Sequence, residues 1–212
     1  ALGPLYHVGP LLCNFVPALH VGATNVIQRD FDPGTTLDYV EREGVSAIWG
    51  VPTHFNELID HETVADRDLT NVRMIQYSGD TMPREVVREC REQFQGVDFI
   101  NAYGTTEVIP ACLIHPEDHD DHLGSIGKSV PNAGTRLVDP DDPRPDTAVD
   151  RGEVGEILVR TPTLMEGYWK DPEKTAAAVV DDWYRTGDLA RRDEDGFVYF
   201  VDRKDDMIIS GG

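Results

Sequence analysis

The feature that most constrains the fold is a regular alternation of short apolar runs and helical segments in the first half of the chain. Runs rich in β-branched and aromatic residues predict strands at 24–27, 45–51, 72–77 and 97–102. Helices are predicted at 10–19, 32–43, 53–59 and 83–94. The second of these begins with Asp32 as N-cap and Pro33 in its first turn. Repeated β-α-β units predict a mostly parallel sheet flanked by helices.

The second half of the chain has a different pattern. Short strand candidates at 134–138, 156–160, 184–189 and 197–201 are separated by turns rich in Gly, Pro and Asp. One predicted helix, 172–179, interrupts them. This spacing is typical of an antiparallel sheet or a small barrel. We therefore expect an α/β fold followed by a smaller β-rich subdomain, a distorted barrel.

The net charge of -20 argues against a nucleic-acid partner and indicates a salt-rich environment. The acids are 25 Asp and 14 Glu, spread along the chain, against 15 Arg and only 4 Lys. Nucleic-acid binding needs a basic surface, so no nucleic-acid partner is expected. Dense surface acid repels itself and is relieved by salt screening, which predicts a halophilic host.

Cysteine content and hydropathy bear on localisation. The three cysteines, Cys13, Cys90 and Cys112, are far apart and form no Cys-x-x-Cys pair. A sparse, odd count favours a reducing compartment, so a cytoplasmic location is expected. No apolar run approaches the roughly 20 residues that a membrane span requires, so no span is predicted.

The turn at 101–107, sequence NAYGTTE, follows the last predicted strand of the first half. In open α/β sheets, ligands bind beyond the carboxyl ends of strands. Gly104 lets the backbone approach a bulky group, and Tyr103 offers a flat face to an aromatic base. The turn's other polar groups are the Thr105 and Thr106 hydroxyls, which suit a phosphate, and the Glu107 carboxylate, which suits Mg²⁺. An ordinary polar loop is the alternative.

Further motifs become informative only in combination. They are PLYHVG at 4–9, GEVGE at 152–156 followed by GYW at 167–169, YRTGDL at 184–189 and VDRKDDMIISGG at 201–212. In this order, with YGTTE at 103–107 among them, they resemble the adenylate-forming superfamily of acyl-CoA synthetases, peptide-synthetase adenylation domains and luciferases. The resemblance spans essentially the whole chain and is closest to the acyl-CoA synthetases.

This resemblance implies a function and its cofactors. Such enzymes activate a carboxylic acid with ATP and Mg²⁺ to an acyl-adenylate, release pyrophosphate, and pass the acyl group to coenzyme A. The expected partners are therefore a small carboxylic acid, ATP or AMP, and coenzyme A. A fatty acid is the expected substrate, with an aryl-acid or other adenylate-forming ligase as the alternative.

The resemblance also implies roles for individual residues. Tyr103 would lie along the adenine, Thr106 would hydrogen-bond the α-phosphate, and Glu107 would hold Mg²⁺, which makes Thr106 and Glu107 the catalytic candidates. Asp188 would accept hydrogen bonds from both ribose hydroxyls, and Arg203 would reach the ribose or a phosphate. The remaining nucleotide-binding candidates are Gly79, Asp80, Gly104 and Thr105.

Three residues are expected to line the acyl pocket: His7, Gly79 and Val108. Relatives that activate amino acids usually carry an Asp at the position of His7, so His7 favours an acid that lacks an amine. A histidine satisfied in the core is the alternative for His7. Asp205 matches the family's hinge, about which a carboxy-terminal domain rotates.

The implied organisation has three parts: an α/β nucleotide- and acyl-binding subdomain at 1–122, a β-rich subdomain at 123–200, and a hinge at 201–212. The family's Gly-rich phosphate loop and its carboxy-terminal Lys are not in the sequence. We therefore expect a central fragment with negligible ligase activity of its own. The rival readings are a non-catalytic module that binds AMP or acyl-adenylate, and a structural remnant. Exposed sheet edges would favour self-association, for example as a homodimer.

Other patterns predict less. An acidic stretch at 115–122 carries three histidines (His115, His119 and His122) and is better explained as a solvated loop than as a metal site. The GSIGKS sequence at 124–129 resembles the end of a phosphate loop, but it lacks the first Gly and a strand-then-helix frame. Met165, Trp169 and Trp183 are expected to pack in the core or at its rim.

Overall fold

A computed structural model of the chain describes residues 2–204, which fall into two units. Within the described residues, the first unit comprises 2–102 and 115–124, and the second comprises 103–114 and 125–204. Each unit is therefore discontinuous in sequence. The predicted hinge residue Asp205 lies outside the described residues.

Three parallel strands form the centre of the first unit. They are β1 (Ala47–Gly50), β2 (Met74–Tyr77) and β3 (Asp98–Tyr103), in the order β1-β2-β3. The helices of this unit are α1 (Val8–Pro10), α2 (Val16–His20), α3 (Pro33–Glu43), α4 (Pro52–Ile59), α5 (Arg84–Gln93) and α6 (Pro116–His119). A π-helical turn, Leu11–Phe15, joins α1 to α2. The prediction of a mostly parallel sheet flanked by helices is confirmed.

Helix α3 forms where its capping residues predict. The Asp32 carboxylate accepts the backbone N–H of Thr35 at 2.8 Å, and Gly44 ends the helix with a left-handed φ of 61°. The buried face of α3 contributes Leu37 and Val40 to the apolar core of the first unit. That core also contains large side chains from α4 and the strands: Phe55, Leu58, Ile75 and Phe99.

One predicted strand of the first unit is wrong. Residues 24–27 have no regular structure, and Ile27 is 57% exposed. Strand propensity depends on packing against neighbouring strands, and no strand of the first unit pairs with this segment within the described residues. The other three predicted strands are confirmed, with bounds that shift by one or two residues.

The second unit is built from antiparallel strands. They are β4 (Cys112–Ile114), β5 (Lys128–Ser129), β6 (Gly134–Val138), β7 (Val154–Arg160), β8 (Val179–Val180), β9 (Trp183–Arg192) and β10 (Val198–Arg203). Strand β4 pairs with β5, four strands follow the order β10-β9-β7-β6, and β8 pairs with β9. One helix, α7 (Pro172–Ala178), precedes β8. The predicted β-rich subdomain is confirmed, and β4, β5 and β8 are additions to it.

Two irregularities bend this sheet. The register shifts between Glu156 and Leu158 on β7, and between Phe200 and Asp202 on β10. Such shifts increase local twist and bend a strand, so the sheet curls around a core that includes Ile157, Val159 and Tyr184. No helix among the residues that the structure describes is long and apolar enough to cross a membrane.

The GSIGKS segment has a structural role in the second unit. Gly127 has a φ of +89°, and a Cβ there would lie 2.0 Å from the Leu113 carbonyl oxygen. Only glycine permits this close crossing of two backbone segments. Lys128 and Ser129 then form β5 and pair with β4.

The expectation of a solvated histidine loop is wrong for His119. This side chain is 1% exposed, and its Nε2 lies 2.9 Å from the Tyr77 hydroxyl. Its ring stacks on Phe99, with ring centroids 5.2 Å apart. The core prediction also fails for Trp169, which is 88% exposed, because this residue lies in the turn before α7. Trp183 is buried, and Met165 packs against the core.

Candidate active site

The turn after β3 is closed by its own backbone. The N–H of Thr105 donates to the Val108 carbonyl at 2.9 Å, and the N–H of Val108 donates to the Thr105 carbonyl at 3.2 Å. A Cβ on Gly104 would lie 2.7 Å from the same Val108 oxygen, so this tight turn requires glycine. Val108 is fully buried and anchors the turn, whereas Thr106 is exposed at its tip.

Asp188, in β9, is the buried centre of the site, with 5% of its surface exposed. Its backbone N–H donates to the Thr186 hydroxyl at 3.0 Å. That hydroxyl in turn donates to the Ile157 carbonyl of the neighbouring β7 at 2.8 Å. Thr186 therefore fixes the backbone that carries the Asp188 carboxylate.

The two oxygens of the Asp188 carboxylate have different donors. The Tyr103 hydroxyl donates to Oδ2 at 2.5 Å, and the Arg203 Nε donates to Oδ1 at 2.9 Å. Burial, together with the charge of Asp188, raises the pKa of Tyr103 well above its usual value, so the phenol remains a donor. Each carboxylate oxygen can accept a second hydrogen bond. The group can therefore take further donors, such as sugar hydroxyls.

Glu107 is held by a segment that precedes α7. The Tyr168 hydroxyl donates to Glu107 Oε1 at 2.8 Å, and the Met165 N–H donates to the Glu107 carbonyl at 2.9 Å. Burial raises the pKa of Glu107, but the hydrogen bond from Tyr168 helps to bring it below its usual value. Glu107 is therefore ionised at neutral pH.

The Glu107 carboxylate suits a metal site in which most ligands come from the substrate and water. Within residues 2–204, no three His, Cys, Asp or Glu side chains gather into a metal-binding group. Mg²⁺ is commonly held by one or two carboxylates, with the remaining ligands supplied by substrate phosphates and water. Glu107, on a turn that also carries the Thr105 and Thr106 hydroxyls, fits a magnesium ion that arrives with a nucleotide.

The second unit thus brings together Tyr103, Asp188 and Arg203, with Glu107 on the same turn as Tyr103. The first unit carries the remaining predicted residues. Gly79 and Asp80 lie in an exposed turn after β2, and His7 is exposed before α1. The alternative of a core histidine is therefore wrong for His7.

Two residues of the second unit, Tyr168 and Glu156, have no role predicted from the sequence. Tyr168 is part of the GYW motif and bonds Glu107. Glu156 is 1% exposed, with Arg185 Nε 3.4 Å from its Oε1 and Lys204 Nζ 3.6 Å from its Oε2. An acid inside the apolar run of a strand is the signal that could have singled out Glu156 as a buried ion-pair partner.

The sequence matches the family described as AMP-binding enzyme over residues 1–169, which is most of the chain. The chain belongs to this family. It is 37% identical over 212 residues to an indoleacetate–CoA ligase of Aromatoleum aromaticum, covering 99% of this chain and 40% of that protein. It is also 37% identical over 213 residues to a long-chain-fatty-acid–CoA ligase of Salmonella typhimurium, covering 99% of this chain and 36% of that protein.

A solved structure agrees with this family membership. The O-succinylbenzoate coenzyme A synthetase of Bacillus subtilis, in complex with ATP and a magnesium ion, aligns with a TM-score of 0.85 and 30% identity. The alignment covers 100% of this chain and 42% of that one. The resemblance to adenylate-forming enzymes and the fold class are therefore both confirmed. This member of the AMP-binding enzyme family spans about two fifths of the length of the curated relatives it matches.

Proposed function

We propose that the chain supplies the nucleotide- and metal-binding part of an ATP-dependent carboxylate–CoA ligase. The observation that carries this proposal is the buried Asp188 carboxylate, which accepts hydrogen bonds from both Tyr103 and Arg203. A carboxylate has only acceptors, so it is suited to the two hydroxyls of a ribose. The names of the relatives, all acid–CoA ligases among those given above, point the same way.

In this proposal the residues of the second unit divide the nucleotide among them. Asp188 accepts the ribose hydroxyls, and the Tyr103 ring, tethered through its own hydroxyl, lies along the adenine. Arg203 reaches the ribose or a phosphate, and Thr106 donates to the α-phosphate. Glu107 holds Mg²⁺, which neutralises phosphate charge when it is bound.

The proposed reaction has two steps. A carboxylate oxygen of the acid bonds to the α-phosphorus of ATP while the bond to the bridging oxygen breaks, so pyrophosphate leaves. The coenzyme A thiol then loses its proton and bonds to the acyl carbon, and AMP leaves. Charge builds up on phosphate oxygens in the first step, so preorganised cations and donors are the main catalytic requirement.

For the acid itself, we propose a fatty acid, with an aryl acid as the alternative. The two relatives named for indoleacetate and for long-chain fatty acids are equally identical to this chain, so they favour neither. An exposed His7 in place of an acidic side chain supports an acid without an amine in either case. Gly79 and Asp80, both exposed, complete the residues proposed to contact the acyl and nucleotide groups. Val108 is fully buried, so we propose that it contributes to the acyl site only through the turn that it anchors.

We expect these 212 residues alone to bind AMP without measurable ligase turnover, which makes binding the appropriate test. The test is a calorimetric titration of the chain with AMP, and with non-hydrolysable fatty acyl- and aryl-adenylate analogues, in molar KCl with Mg²⁺. Asp188→Ala should weaken AMP binding by tenfold or more, because a hydrogen bond to a charged group contributes about 1.5–3 kcal/mol.

Asp142→Ala is the matched control, because Asp142 also pairs with an arginine, Arg144, but at an exposed site. The AMP affinity of the Asp142→Ala variant should equal that of the unaltered chain. Tighter binding of the fatty acyl analogue than of the aryl analogue would support the fatty-acid assignment. A folded chain that does not bind AMP, or an Asp188→Ala variant that binds it normally, would contradict the proposed site.

A further inference from the structure

The segment before α7 contacts Glu107 at two points. The Met165 N–H bonds the Glu107 backbone carbonyl at 2.9 Å, and the Tyr168 hydroxyl bonds the carboxylate oxygen Oε1 at 2.8 Å. Tyr168 is 61 residues away from Glu107 in sequence. Both the backbone and the side-chain end of Glu107 are therefore attached to one short segment.

Tyr168 is itself fixed by helix α7. Its backbone N–H donates to the Thr175 hydroxyl at 2.9 Å, and the Lys174 Nζ lies 4.3 Å from the centre of its ring. The Thr175 hydroxyl donates to the Asp171 carbonyl at 2.8 Å, and the Asp171 carboxylate caps α7 by accepting the Lys174 N–H at 2.9 Å. The hydroxyl that reaches Glu107 thus projects from a supported backbone.

A long carboxylate side chain that is free to rotate loses conformational entropy when it binds a metal. That cost is among the largest of any side chain for a glutamate. A donor that occupies one oxygen in advance reduces the cost and sets the orientation of the other. Hydrogen-bond partners of metal ligands act in this way, and their removal commonly weakens metal binding by about 10- to 100-fold.

We propose that Tyr168 is a positioning residue that orients the Glu107 carboxylate for the magnesium ion bound with the nucleotide. This inference rests on the proposed function, because it takes Glu107 as the metal ligand. It assigns a role in the site to the GYW motif. Tyr168 acts through Glu107 and needs no contact of its own with the nucleotide.

The test compares two dissociation constants for ATP in the absence of any carboxylic acid, one in EDTA and one in saturating Mg²⁺. The ratio of the constant in EDTA to the constant in Mg²⁺ isolates the contribution of the metal, because any general effect of a substitution on the fold enters both constants. Tyr168→Phe removes the hydroxyl and keeps the ring under Lys174. The variant should lower the ratio by about tenfold or more and leave the affinity for AMP in EDTA within about twofold.

Two further variants make the outcome decisive. Glu107→Gln should lower the ratio at least as much as Tyr168→Phe, and Tyr39→Phe, in α3 of the first unit, should leave it unchanged. An unchanged ratio in Tyr168→Phe beside a reduced ratio in Glu107→Gln would overturn the role of Tyr168 and leave the proposed function standing.

Equal weakening of both ATP constants in Tyr168→Phe would indicate a purely structural residue and would also overturn the inference. A ratio of one in the unaltered chain would exclude Glu107 as a metal ligand, and with it the role of Tyr168. The AMP titration of Asp188→Ala would still report separately on the nucleotide site.

Discussion

The first unit buries a neutral polar pair, whereas the second unit buries two carboxylates that contact cations. His119 and Tyr77 share a hydrogen bond of 2.9 Å. Burial lowers the pKa of His119 and raises that of Tyr77, so both are uncharged near pH 7. In the second unit, Glu156 is 1% exposed and Asp188 is 5% exposed, and both face arginine or lysine side chains.

This contrast bears on which buried polar groups serve binding and which serve packing. A neutral buried pair carries no penalty for desolvating a charge, and it mainly specifies packing. A buried charge carries a desolvation penalty that its partner offsets only in part, so it is a poor way to stabilise a core. We interpret the buried carboxylates of the second unit as groups retained for binding and positioning, and the His119–Tyr77 pair as a packing contact.

The largest expected effect comes from removing a buried charge of the second unit. Glu156→Ala leaves Arg185 and Lys204 without their shared partner. Breaking a buried pair costs about 3–5 kcal/mol, and we expect the lower end, about 3 kcal/mol, because both cations are about one third exposed. Urea denaturation measures the loss. Glu153→Ala replaces an exposed glutamate just before β7 and should leave the free energy of unfolding nearly unchanged. Equal losses of unfolding free energy in the two variants would contradict the predicted difference between the buried and the exposed position.

The next effect concerns the hydroxyl that supports Asp188. Thr186→Val keeps the side-chain shape but removes one bond to the Ile157 carbonyl and one from the Asp188 N–H. Leaving these buried groups unsatisfied should cost about 1–3 kcal/mol of unfolding free energy and should weaken AMP binding in calorimetry. Thr70→Val removes an exposed hydroxyl in the first unit and is the control. A Thr186→Val variant as stable as the control would show that Asp188 does not depend on this support.

In the first unit, we expect the free energy of unfolding to depend on pH through His119. The folded-state pKa of His119 lies below the unfolded value of about 6.5. As the pH falls below 6.5, the unfolded chain takes up a proton that the folded chain does not, so stability declines. The slope from this group is at most about 1.4 kcal/mol per pH unit.

Denaturation at several pH values between 7 and 5 measures that slope. His119→Gln should flatten it, whereas His20→Gln, an exposed histidine at the end of α2, should not. The groups that face His119 are Tyr77, Phe99, Asp120 and Arg91. The same slope with and without His119 would show that its imidazole does not titrate between the two states.

The smallest expected effect is a stabilisation by salt, which both units should share because exposed acids lie on both. At a net charge of -20, screening by KCl should relieve self-repulsion. A relief of about 1 kcal/mol would raise the melting temperature by about 2–4 °C between low and molar KCl. A melting temperature that does not rise would exclude the proposed adaptation to salt.

Local structure could be predicted where buried β-branched and aromatic residues cluster in a short segment. Val72, Ile75 and Tyr77 are all buried, so the strand predicted at 72–77 was close to the observed Met74–Tyr77. Residues 24–27 carried the same signal, but without a neighbouring strand the propensity had no effect. Helix α3 followed from its Asp-Pro start, because capping is a local interaction.

The site could be predicted only in part. Tyr103, Asp188 and Arg203 were candidates because of the resemblance, not because of a periodicity. Tyr103 and Asp188 are 85 residues apart, and their hydrogen bond depends on strand register and on the bulges in β7 and β10. Tyr168 was missed for the same reason, since a contact over 61 residues has no local signal.

Hydrogen–deuterium exchange of the chain, with and without saturating AMP and Mg²⁺, tests whether the nucleotide binds to the second unit. Exchange should be slower in the peptides that contain residues 103–108 and 184–189, because the nucleotide would contact the turn after β3 and the Asp188 segment of β9. Saturable binding of AMP without protection of either segment would contradict the assignment of the nucleotide site to the second unit.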